Sequence, residues 1–337
     1  MENISPGKER RNPLTALLLL GVFVAVVLLL PTPREVIYKD NLTADVSQDE
    51  ITSKEITLLF TGDIMLSRSV GDIMERTGNW DYPFLNTAEF LSSADITFGN
   101  LEGPISAGGA KVGSTYSFRA DPRVIQGLKS AGFDVLSIAN NHILDYGRDA
   151  LIDTIQILEG SGIEPVGGGL NYKLAHEPVI KTADGVKVAY LAYTPLIPAT
   201  LGSKEAAPAV AFLDLETAVS DVRAARVLSD IVIVSVHWGD EYQKLPNKKE
   251  KEIGRALIDA GASLVVGHHP HVVQEIEKYS GGFIAYSLGN FVFDQSFSEE
   301  TMEGIILQVT VRKNKIAEVV PIKIKINSSF QPYLTED

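Results

Sequence analysis

Residues 56–66 read ITLLFTGDIML: a run of apolar and β-branched residues, Ile56 to Thr61, halted by Gly62 and Asp63. A short run of that kind, bounded by a glycine, predicts a buried strand. The pattern then recurs. Ile96–Phe98 meets Gly99-Asn100, Val135–Ala139 meets Asn140-Asn141-His142, Ile231–Val236 meets His237, and Leu264–Val266 meets Gly267-His268. Each apolar run ends on residues suited to chemistry, and the carboxyl ends of strands in α/β sheets form the crevice where ligands bind.

Helical stretches alternate with these strands. Asp121-Pro122 supplies an N-cap and a first-turn proline, and Gly132 a stop, so a helix lies between them. Asp149–Leu158, Thr217–Leu228 and Lys248–Ala260 carry helical spacing. Asp184-Gly185 predicts a hairpin joining Val179–Lys181 to Val186–Tyr193. Phe283–Leu288, Gly304–Val311 and Ile316–Ile326 predict antiparallel strands. The expected class is α/β, with sheets inside and helices outside, forming one domain over residues 56–327.

The remainder of the 337-residue chain brackets that domain. Leu14–Leu30 is apolar throughout apart from Thr15 and Gly21, and Lys8, Arg10 and Arg11 precede it. As a helix it would rise about 25 Å, enough for a bilayer core. Its flanking cations place residues 1–13 in the cytoplasm. The run is long for a cleaved signal peptide, and no Ala-x-Ala site follows it. The expectation is a single-pass signal anchor at 14–30 in the cell membrane, a linker over 31–55, an extracytoplasmic domain and a loose tail over 328–337. The net charge of -13 lacks the basic footprint of a nucleic-acid binder. With no cysteine, there are no disulfides, and any metal site must draw on His, Asp, Glu or Asn.

Asp63, Asn100, Glu102, Asn141, His142, His237, His268, His269 and His271 are the candidates, and they hold five of the six histidines. Imidazole with carboxylate suits Mn, Zn or Fe. Two such ions about 3.5–4 Å apart activate water and clamp a phosphoryl group. A histidine outside the ligand set can serve as a general acid. Plainer readings compete: Asp63 as a helix cap, Asn140-Asn141 as a turn, and His237 as a satisfied core residue. Three histidines in four positions are costly to bury without partners. On a strand-like segment His269 and His271 would share a side, leaving His268 behind them. His176 reads as a surface-loop residue. Arg119 suits an anionic group or an ion pair. Glu241 and Asn290, with Asp294, either line the crevice or serve turns.

Six strings carry a resemblance: FTGDIML, FGNLEGPI, LSIANNHILDYG, SVHWGDEY, GHHPHVVQ and YSLGNFVFDQ, running from Ile56 to about Gln295. The ordered set resembles the CapA family of poly-γ-glutamate capsule biosynthesis, whose domain is similar to the calcineurin-like metallophosphoesterases. That resemblance implies a layered α/β/β/α sandwich. Asp63 would be a first-metal carboxylate, Asn100 would stand at the bridging position, and Asn141, His237 and His269 would form the second-metal set. His271 would return to the first metal, and His142 would be the proton donor. Two departures weaken the first-metal site. Met65 stands where the phosphoesterases carry histidine, and Asn100 brings no charge, although Glu102 lies two positions on. One ion, a weakly held pair and no ion all remain open. The implied role is an accessory in synthesis and export of an anionic polymer, beside integral-membrane synthase subunits. The rivals are a phosphoesterase acting on an envelope or nutrient phosphoester and a scaffold without catalysis.

Overall fold

The computed structural model describes residues 38–39, 55–113, 115–202 and 206–335. The expected cytoplasmic segment, the signal anchor and most of the linker lie outside the described residues. Among the described residues no helix is long and apolar enough to cross a membrane.

In chain order the first elements are β1 (Tyr38–Lys39), β2 (Glu55–Ile64), α1 (Arg68–Thr77), α2 (Ala88–Leu91), β3 (Ile96–Leu101), α3 (Ile125–Ser130), β4 (Val135–Ser137), α4 (Gly147–Gly160) and β5 (Glu164–Val166). The middle contributes β6 (Gly168–Gly169), α5 (Tyr172–His176), β7 (Val179–Ala183), β8 (Val186–Tyr193), α6 (Ala199–Gly202), β9 (Ala209–Val210), α7 (Leu215–Leu228), β10 (Ile231–His237) and α8 (Lys248–Ala260). The last part holds β11 (Leu264–His268), β12 (Ile276–Tyr279), β13 (Gly282–Ala285), β14 (Asn290–Val292), β15 (Glu303–Arg312), β16 (Lys315–Ile326) and β17 (Pro332–Leu334).

Two large sheets result. One runs β1-β16-β15-β2-β3-β4-β5, with β14 added to β2 and β17 to β16; the other runs β12-β13-β11-β10-β8-β7. Period-two alternation sorts each strand's side chains between two layers. Val188, Tyr190, Ala192, Ile231 and Ile233 join the core shared with Phe60 and Phe98 of the larger sheet. Their neighbours Ala189, Leu191, Val232, Val234 and Val236 instead pack on Ala218, Val222 and Leu257 of α7 and α8. Burial on both faces explains why these strands read as unbroken apolar runs. The Phe98 and Tyr190 rings stack at 5.7 Å and 6° across the gap between the sheets. The architecture is the layered α/β sandwich expected.

Some local signals read true. α8 has the expected bounds, set by an Asn247–Glu250 capping box and by Gly261 at φ 118°. Asp184 and Gly185 both have positive φ, 46° and 80°, as a two-residue hairpin turn requires.

Four expectations are corrected. β2 continues through Gly62 and Asp63 to Ile64, with a register shift after Phe60. Gly62 is there because a Cβ would collide with the Gly289 carbonyl oxygen. β13 stops at Ala285 and runs parallel to β11, antiparallel only to β12. The segment after Ser328 is tied down to Thr335: β17 pairs antiparallel with β16, and Gln331 Nε2 donates to the Tyr82 carbonyl at 2.8 Å. His176 is buried, and its Nδ1 lies 2.9 Å from Asp221 Oδ2.

Candidate metal centre

The ends of β2, β3, β10, β11 and β14 converge. Asp63 is fully buried between Asn100 and Asn290, its register partners on β3 and β14. Asn100 Nδ2 donates to Asp63 Oδ1 at 2.8 Å and lies 3.2 Å from His237 Nδ1. Asn140 Nδ2 holds Asn100 in turn, donating to its Oδ1 at 3.3 Å. His237 Nε2 sits 2.8 Å from Asn141 Oδ1. On the other side, the His269 backbone N–H donates to Asp63 Oδ2 at 3.2 Å. His271 Nδ1 lies 3.3 Å from that same oxygen and 2.9 Å from Asn290 Oδ1. His268, expected behind the pair, is fully buried with Nδ1 3.4 Å from Asp63 Oδ1.

The His269–His271 segment is a turn and not strand-like. Both residues take positive φ, 98° and 58°, a region that non-glycine residues rarely occupy and that is held only when the surroundings enforce it. The turn brings the two rings together by another route, with centroids 5.8 Å apart.

Glu102 reaches into the cluster. Its Oε1 is 3.8 Å from both His142 Nε2 and His271 Nε2. Both carboxylate oxygens are buried and have no hydrogen-bond partner among the described residues. Burial, reinforced by nearby Asp63, pushes its carboxyl up to about 7. Burial acts the same way on Asp63, yet His268 and His271 outweigh it and hold that carboxyl well below its usual range. For His271, burial alone would lower the imidazole; Glu102, Asp63 and Asn290 overcome this and raise it to about 9. Burial and the neighbouring His271 push His269 down to about 4. Burial, then His269, holds His237 neutral.

The cluster fits a divalent cation. Asp63, Glu102 and His237 offer ligand atoms within 4.8 Å of one another, as do Glu241, His269 and His271. The unpartnered oxygens of Glu102 and Nδ1 of His269 are buried polar atoms that a cation would satisfy. Ligands about 2.1 Å from one ion stand about 3 Å apart at a right angle. The 3.3 Å between His271 Nδ1 and Asp63 Oδ2 is close to that spacing, while His237 Nε2 and Asn141 Oδ1 are hydrogen-bonded at 2.8 Å. The grouping differs from the implied one, since His237 falls with Asp63 and Glu241 joins the histidine turn. Met65 stands aside: its Sδ accepts from the Ser67 hydroxyl and backbone N–H at 3.0 and 3.2 Å.

His142 is held separately. Its Nδ1 donates to Asp145 Oδ2 at 2.7 Å, and its ring stacks on Phe118 at 4.0 Å. The pair lines a cavity of about 190 Å³ that also exposes Arg68, Glu241, Tyr242, His271 and Asp294. Two tentative substrate residues move elsewhere. Arg119 Nη1 donates to the Gly108 carbonyl and its guanidinium lies 4.3 Å over Tyr146, outside the cavity lining. Asn290 is buried and orients His271. Sequence reasoning missed Asp145, inside the quoted LSIANNHILDYG string, and Arg68, whose Nη2 pairs with Asp294 at 3.1 Å.

A layered α/β sandwich with a carboxylate, amide and imidazole cluster at its strand ends defines a protein with a candidate metal centre. Residues 57–295 match the family described as bacterial capsule synthesis protein PGA_cap. The chain is 32% identical to "Capsule biosynthesis protein CapA" of Bacillus anthracis, over 95% of this chain and 78% of that one. It is 34% identical to "PGA biosynthesis protein CapA" of Bacillus subtilis (strain 168), over 79% and 70%. Among solved structures, a hypothetical protein from Thermus thermophilus superposes with TM-score 0.51 at 15% identity, over 80% of this chain and 99% of that one. The chain therefore belongs to the bacterial capsule synthesis family to which the CapA proteins belong.

Proposed function

We propose that this chain is an accessory protein of poly-γ-glutamate biosynthesis and export, anchored in the cell membrane with its domain on the outer side, and carrying a metal-assisted site. Membership of the capsule synthesis family supports the pathway. The apolar run after Lys8, Arg10 and Arg11 supports the anchor. Integral-membrane synthase subunits are the partners this role requires. The observation that carries the metal is Glu102, a fully buried carboxylate with no hydrogen-bond partner among the described residues, facing two histidines.

Asp63, Glu102, Asn141, His237, Glu241, His269 and His271 would hold one or two divalent ions. Such an ion lowers the pKa of bound water and polarises a phosphoryl or carbonyl oxygen. Asn100 orients Asp63, and Asn290 orients His271. Asp145 holds the proton of His142 on Nδ1, which leaves Nε2, 3.8 Å from Glu102 Oε1, for chemistry. That pairing favours a second reading, a metal-dependent phosphoesterase in which His142 delivers a proton to the leaving oxygen.

The test is complementation. A strain lacking the gene, carrying the full chain or its Asp63→Asn, Glu102→Gln or His271→Gln variants, is scored for surface polymer, and the purified proteins for bound metal. The expected result is parallel loss of metal and polymer. Full polymer with a metal-free variant would sink the metal-assisted reading; unchanged polymer in the deletion strain would sink the pathway. Turnover of an aryl phosphate by the metal-loaded chain, lost in His142→Ala, would decide for the phosphoesterase.

A further inference from the structure

The cavity beside the cluster is walled by aromatic rings from three loops, Tyr116 with Phe118, Tyr242 and Phe297, together with His142 and His271. Tyr116 and Phe297 are 66% and 65% exposed, and Tyr242 is 40% exposed. Large exposed rings forgo the stabilisation of burial, and here three meet on one small cavity. Tyr242 holds its place at positive φ, 62°, with its N–H donating to the Pro270 carbonyl at 2.8 Å. That bond ties it to the histidine turn. Its ring stands 6.0 Å from His271 and edge-on to Phe297 at 5.1 Å and 87°.

Charge at the mouth points the same way. Arg68, the arginine of the lining, is already paired with Asp294 and lies 5.5 Å over Phe118. Glu241 adds a carboxylate to the wall. A chain of repeated carboxylates meets no basic track here, and the cavity is small, about 190 Å³.

We propose that this site binds a ligand combining one anionic head, seated toward the metal-type cluster, with one flat ring held by Tyr242 and Phe297. The ligand class is a ring-bearing compound with a single phosphonate- or carboxylate-type head, not a wholly aliphatic polyanion. The inference rests on the metal-assisted reading of the cluster proposed above.

The test is calorimetric titration of the full chain in detergent with manganese present. Two probe pairs are used: phenylphosphonate against methylphosphonate, and benzoate against acetate. The ring-bearing member should bind about tenfold more tightly, the scale of two aromatic contacts. In the Phe297→Ala/Tyr242→Asn double variant the ratio should fall to within about twofold. Asparagine is chosen because it tolerates the positive φ. Equal affinities within both pairs, an undiminished ratio in the double variant, or no binding of any probe would each overturn the proposal. A ring preference in the carboxylate pair with no phosphonate binding would uphold the ring subsite and remove the phosphoester reading.

Discussion

Glu102→Gln should act in opposite directions with and without metal. Without metal, Glu102 is an ionisable group buried where it has no hydrogen-bond partner among the described residues. Its carboxyl rises from 4.5 to about 7. A raised carboxyl stabilises the protonated fold, so stability falls as pH climbs from 4.5 toward 7, and the full cost applies above 7. At pH 8 that cost is roughly 3 kcal/mol. His271, raised from 6.5 to about 9, gives back roughly 1 kcal/mol at the same pH. The pair therefore leaves roughly 2 kcal/mol of destabilisation that a neutral amide removes. At about 2–4 °C per kcal/mol, the chelated variant at pH 8 should melt as high as the parent, or up to about 8 °C higher.

Metal reverses the ranking. Free metal at about 100 times its Kd stabilises the parent by about 2.7 kcal/mol. The parent should then gain about 5–10 °C. The variant, lacking a charged ligand, should gain less than half of that. Differential scanning calorimetry in chelator and in excess manganese, both at pH 8, reads all four values. A variant that melts several degrees lower in chelator would show that Glu102 has a structural partner. Equal gains with metal would show that it is no ligand. Either result refutes the reasoning.

Three further outcomes are expected. Metal affinity should rise with pH from about 6.5 to 9, because ligands held as His271-H⁺ and partly protonated Glu102 must lose their protons; titration in buffers of different ionisation enthalpy should show net proton release at pH 8. If the chain turns over an aryl phosphate, Asp145→Asn should lower the rate by about 10–100-fold without loss of bound metal, since Asp145 braces His142 and the Phe118 backbone N–H and stands outside the proposed ligand set. Gly267→Ala should destabilise by more than about 3 kcal/mol in a urea melt, because a Cβ there would collide with the Tyr286 carbonyl oxygen and backbone must move.

The fold is legible in the sequence wherever local chemistry sets the boundary. α8 can be read end to end because its capping box and left-handed glycine are written in adjacent residues. The strands outrun their apparent stops for a reason that is not local. Gly62 and Gly99 look like stops, yet both lie inside strands. They are glycines because other segments press on them: Gly289 on Gly62, and the Ile64 and Thr61 side chains, at 2.7 Å, on Gly99. β14 has no signal of its own because its three residues become a strand only by joining β2 at Asp63. Arg119 and Arg68 are equally plausible anion grips by type. Only tertiary placement sets Arg119 over Tyr146 and Arg68 at the cavity.

The exchange of charge along β3 is the deeper lesson of the site. Asn100 brings no charge to the cluster, which by residue type alone suggests a weak cation site. Residues two apart on a strand face the same side. Glu102 therefore follows Asn100 toward the cluster, while Phe98, two before, faces Tyr190 in the core. Glu102 sets a carboxylate one step further out, beside His142 and His271. Asn100, freed from carrying charge, donates to Asp63 and fixes the carboxylate that remains. A residue type that looks like decay by itself is thus the orienting half of a pair. Its partner is visible in FGNLEGPI, but the sequence alone could not show that the strand's direction survives past Leu101 to bring Glu102 inward.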